Sequence, residues 1–89
     1  MFKSTLRKGF QMTFENGWTI SVQWGYGNYC DNRSMLKSDF NNTTDLECET
    51  AEIAIWDKNN NWFGFGTDEV KGYCSPDEVA DWITKVSKF

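Results

Sequence analysis

Two stretches that alternate apolar with polar residues, 8–14 and 18–24, flank Glu15-Asn16-Gly17. Period-two alternation on both sides of such a turn reads as an antiparallel hairpin of half-buried strands. A two-residue Asn-Gly loop would put Phe10, Met12 and Phe14 opposite the face carrying Ile20 and Val22. A three-residue loop with Gly17 in the left-handed conformation pairs Phe14 with Trp18, Met12 with Ile20 and Phe10 with Val22. All the apolar side chains then share one face, and Gln11, Thr13, Thr19, Ser21 and Gln23 share the other. A one-residue slip reverses a strand's whole apolar set, so the three-residue loop is the expected one.

The same pattern recurs at 51–57 and 62–66, with a turn at Lys58-Asn59-Asn60. This register pairs Ile55 with Phe63 and Ile53 with Phe65, and sets Trp56 beside Trp62 on the reverse face. Leu46-Glu47-Cys48-Glu49 is out of phase with that strand, which calls for a bulge or a strand start near Thr50. The C-terminal segment 76–88 is the clearest helix. Ser75-Pro76-Asp77-Glu78 forms a capping box, and Val79, Trp82, Ile83 and Val86 follow at helical spacing. A helix of this length is marginal alone, so it is expected to lie on the sheet. The fold class expected is therefore α+β, a four-stranded antiparallel sheet of two hairpins packed against one C-terminal helix. The 89 residues make a single domain, with a long polar loop over 25–49 and a short helical turn near Ser34-Met35-Leu36-Lys37.

Composition narrows the function. Aromatic residues are 17% of the chain and supply the burial that a small core needs. A net charge of −4 argues against generic nucleic-acid binding, which relies on Lys and Arg displacing counterions. Asp45, Glu47, Glu49 and Glu52 read as a solvated strand edge, too sparse to mimic DNA. No apolar run approaches the roughly 20 residues that span a bilayer, and the N-terminus lacks the pattern of a signal peptide. Membrane association is therefore not expected, and the expected location is cytoplasmic. Cys30, Cys48 and Cys74 are odd in number and have no CxxC spacing, which fits free thiols in a reducing compartment.

With no histidine, the chain lacks the commonest general base and metal ligand. No catalytic residue, metal site or cofactor is expected. The chemically richest segment is Gly25-Tyr26-Gly27-Asn28-Tyr29-Cys30-Asp31-Asn32-Arg33, presented directly from a strand. Two glycines permit close approach, tyrosine rings offer stacking, and Asn, Asp and Arg offer directional hydrogen bonds. Tyr26, Asn28, Tyr29, Asp31, Asn32 and Arg33, with the Trp56/Trp62 pair, are the candidate binding residues. The competing structural reading is a tight turn capped by tyrosines, with a tryptophan pair that merely stabilises a sheet.

The run from Phe14 to Arg33 resembles a group of small uncharacterised bacteriophage proteins that carry the string NG-x-T-x-S-x-Q-x-G-x-G-NYC-x-NR. Ala54-Ile55-Trp56 and Ser75-Pro76-Asp77-Glu78 match their later A-x-W strand and SP-x-E helix. The resemblance implies expression in a bacterial host during infection, where such accessory proteins bind host or defence components. The leading expectation is a non-enzymatic binder of a host or defence protein or of a nucleotide-like ligand, with homodimerisation through the Trp56 face or a sheet edge as a further option. A small nucleotide-processing hydrolase using Asp31 and Arg33, and a virion or assembly component, are the alternatives.

Overall fold

The computed structural model describes residues 1–6 and 8–89. Its strands are β1 (Phe2–Ser4), β2 (Gly9–Thr13), β3 (Thr19–Gln23), β4 (Ala51–Trp56) and β5 (Val70–Cys74), with helices α1 (Lys37–Asn42) and α2 (Pro76–Ser87). All five strands join one antiparallel sheet in chain order. The α+β class and the C-terminal helix hold, but the sheet has five strands where the sequence pattern suggests four.

The first hairpin adopts the three-residue loop. Phe10 pairs with Val22 and Met12 with Ile20. The Phe14 N–H donates to the Trp18 carbonyl at 2.9 Å, and Gly17 takes φ +87°. Asn16 fastens the turn to the far end of the chain, its Nδ2 donating to the Val86 carbonyl at 2.8 Å. The helix signals are equally literal. Ser75 Oγ accepts from the Glu78 N–H, and the Glu78 carboxylate accepts from the Ser75 N–H. Val79 and Val86 are buried, and Trp82 and Ile83 pack beside them against Ile20, Val22, Ile53 and Ile55.

The second hairpin begins as expected and then departs. Asp57 and Asn61 close a turn over residues 58–60, with Asn60 at φ +62°. Both oxygens of the Asp57 carboxylate are used, Oδ1 by the Asn59 and Asn61 N–H groups and Oδ2 by Asn61 Nδ2. These bonds, that of the Asn61 N–H foremost, hold the carboxyl below its ordinary range. Trp56 pairs with Trp62, and the Phe63 N–H donates to the Ile55 carbonyl at 2.8 Å. The expected strand over 62–66 does not continue from there. A tight turn runs from Phe65 to Asp68, and Val70–Cys74 takes the ladder instead, pairing Lys71 with Ile53. Phe65 therefore leaves the hairpin, and Phe63 stays joined to it through its N–H alone. Their rings meet Trp82 edge to face at 5.7 and 5.0 Å, and Phe63 also meets Phe89 at 5.5 Å. Their alternation encodes a core lid, satisfied by ring packing instead of strand pairing.

The first strand, β1, was also absent from the expected set. It is only three residues long, all exposed, and holds on by backbone bonds, so no side-chain periodicity announces it. The 25–49 connection carries α1, three residues later than the expected helical turn, and buries Phe40.

Candidate functional site

One face of the sheet is covered by α2; the other has no helix over it among the described residues, though Thr19, Ser21 and Ala54 on it are buried. Along the open face, β2, β3 and β4 align Gln11, Ser21, Gln23, Glu52 and Ala54 as the floor of a trough of about 310 Å³. The floor is mostly polar, and hydrogen bonds link some of the side chains on this face. Thr13 and Thr19 share a hydroxyl–hydroxyl bond of 2.9 Å, and Gln23 Nε2 donates to Ser21 Oγ at 3.4 Å. Trp56 and Trp62 form one wall, their rings 5.1 Å apart and tilted by 30°. Trp62 keeps 46% of its surface in solvent despite that stacking.

Glu52, which lines the trough, is also tied to the 25–33 loop. Glu52 Oε2 accepts the Tyr29 N–H at 2.8 Å, and the Tyr29 carbonyl accepts from Tyr73 at 2.8 Å. Gly72 makes this seat possible, since a Cβ there would stand 2.6 Å from Tyr29 Cβ. The Arg33 guanidinium lies 4.2 Å from the centre of the Tyr29 ring and donates to the Gly27 carbonyl at 3.2 Å. Val70 lines the trough and also the adjoining hollow that contains Tyr29 and Tyr73.

The eight sequence candidates divide by role. Asn28 is 8% exposed and donates to the Trp24 carbonyl, so it builds the loop. Asn32 accepts from the Cys30 thiol and donates to the Glu47 carbonyl, bridging two segments. Asp31 is exposed, with its backbone N–H held by Thr50 Oγ1. Tyr29, Arg33, Trp56 and Trp62 remain as surface chemistry around the trough. Tyr26 sits apart, 6.3 Å from the Phe40 ring, in a separate cleft of about 520 Å³ lined also by Lys8, Lys37 and Asn41.

Two parts of this surface were missed at the level of sequence. The Gln11, Ser21 and Gln23 floor is legible in sequence only as the polar phase of the first hairpin, with nothing there to mark a trough. The lysine cleft had a signal too: residues 1–14 carry Lys3, Arg7 and Lys8 and no acid. No family model matches this chain, nor does any curated protein or solved structure compared with it.

Proposed function

We propose that this chain is a non-enzymatic accessory protein of the bacteriophage type that acts by binding a host or defence protein in the bacterial cytoplasm. The open face of the sheet is its working surface. The observation that carries this reading is a half-exposed tryptophan stacked on a second one beside a polar floor. Rigid aromatic anchors next to hydrogen-bonding groups are what binding hot spots are made of. The resemblance of the Phe14–Arg33 run to small phage proteins supplies the setting.

The test is capture from infected cells with immobilised protein, followed by titration of the purified partner. Trp62→Ala should weaken binding by about 2 kcal/mol or more, roughly thirty-fold, as loss of a hot spot does. Its melting temperature should stay within a few degrees of the parent, because the ring stands at the surface. Undiminished affinity in the variant would remove the open face from the proposal.

The Tyr26 cleft supports a second reading, a nucleotide-like ligand. Lys8 and Lys37 supply cationic groups and Tyr26 a stacking ring, with Lys8 Nζ 5.8 Å from the Phe40 ring centre. Calorimetric titration with nucleoside mono- and diphosphates is expected to give saturable heat that Lys37→Ala reduces at least several-fold. Turnover of the same nucleotides, in place of stoichiometric binding, would favour the hydrolase.

A further inference from the structure

Cys30 is almost fully buried, at 1% exposure, and Cys48 is partly exposed. Although distant in sequence, they belong to two segments laced together around them. The Asp31 N–H donates to Thr50 Oγ1 at 3.0 Å, and Asn32 Nδ2 donates to the Glu47 carbonyl at 3.0 Å. These two bonds bracket Cys48 from both sides, immediately beyond Cys30. After burial, the nearby Cys48 thiol is among the groups that push the Cys30 thiol above its ordinary range.

We propose that Cys30 and Cys48 form a reversible disulfide site that reacts with small disulfides of the glutathione class. Cys48 is the attacking residue. It is the more accessible sulfur and lines a groove of about 290 Å³ with Trp24, Thr50, Pro76 and Ile83, through which the reagent enters. Cys48 gives its proton to solvent and attacks one sulfur of the small disulfide. That S–S bond breaks, and its other half leaves as a thiolate and takes up a proton. Cys30 then loses its proton and displaces the remaining half from Cys48. The protein S–S bond forms, both protein sulfurs are oxidised, and the small disulfide is reduced to two thiols.

Cys30 is suited to the second step and not the first. Burial pushes its thiol above the ordinary range, and the proton is held toward Asn32 Oδ1 at 3.1 Å. A mixed disulfide on Cys48 brings the reacting sulfur to it, so no encounter in solution is required. Cys74 serves as an internal reference. It is buried on β5 among the residues under α2, and its thiol points to the Lys71 and Gly72 carbonyls.

The experiment is incubation of the folded, reduced full-length chain with oxidised glutathione, then alkylation in denaturant and peptide mapping. Trypsin separates the cysteines into peptides 9–33, 38–58 and 72–85. The expected result is a link between the first two, with Cys74 alone alkylated. Closing the chain from residue 30 to 48 should raise the melting temperature by roughly 10 °C, reversed by dithiothreitol. Cys74→Ser should keep both effects and Cys48→Ser should lose both. A lasting glutathione adduct on Cys48, a link to Cys74, a covalent dimer or three unreacted thiols would each overturn the proposal. The mapping on the unmodified sequence decides this even if a variant folds poorly.

Discussion

Replacing Ile53 with alanine should lower the unfolding free energy by about 3–4 kcal/mol, the cost of emptying a well-packed aliphatic site. A domain of this size holds roughly 4–13 kcal/mol in total, so the variant would lose a large part of its margin. The position earns this sensitivity from its place in the sheet. Ile53 lies on β4, opposite Val22 on β3 and Lys71 on β5, and has no exposed surface. Val79 and Val86 of α2 belong to the same buried cluster. Backbone pairing on both sides leaves the strand little freedom to move into the space. Urea denaturation of Ile53→Val and Ile53→Ala provides a graded check, with the valine variant expected to lose only about 0.5–1.5 kcal/mol. A loss under about 1 kcal/mol for the alanine variant would mean that the core collapses around the site far more readily than its packing implies.

Gly9→Ala should be comparably damaging for a different reason, with a loss of about 4 kcal/mol. Gly9 has φ +153°, and a Cβ there would lie 1.8 Å from the Val22 carbonyl oxygen and 2.9 Å from Gln23 Cα. Both obstacles are backbone atoms of the central strand, so no rotamer change relieves the overlap. Either β2 separates from β3 at the Gly9–Gln23 pair or the chain rearranges through Lys8, whose carbonyl accepts the Trp24 N–H. Amide hydrogen exchange should show the change as lost protection at Trp24 and along the adjoining part of the β2–β3 ladder. Protection and stability equal to the parent would show that the close approach at Gly9 is not required. Gly27→Ala is an informative companion, because a Cβ there meets nothing within 4 Å and only the backbone conformation at φ +80° is strained.

The parts of this fold that could be read from sequence are those in which two independent signals coincide. In the first hairpin, Gly17 permits the three-residue turn and the alternation selects it, bringing Met12 opposite Ile20. In α2, the capping residues and the Val79, Trp82, Ile83, Val86 spacing agree. The second hairpin offered the same agreement only as far as Phe63. Beyond it, Phe65 kept the phase of a strand while Gly66 turned the chain, and periodicity cannot distinguish a ring packed on a sheet from a ring packed on a helix. Val70-Lys71-Gly72-Tyr73-Cys74 gave little strand signal, because its ladder is irregular and Tyr73 takes φ +54°. At the candidate site, residue chemistry singled out the right loop but not the division of labour within it. Asn28 and Arg33 look equally suited to binding in sequence. Their contacts show that Asn28 is buried and bonded to Trp24, whereas Arg33, which also closes the loop through Gly27, keeps its guanidinium at the surface over Tyr29.

The two outer strands have a bearing on how copies of this chain can meet. A sheet that ends in a long, flat strand with free backbone groups is a template on which another molecule can polymerise. Here one border is β1, three residues long and carrying Lys3 at its centre. The other is β5, kinked at Tyr73, where the Tyr29 carbonyl already occupies the N–H that a newcomer would need. Both borders are blunted against fibre-like growth.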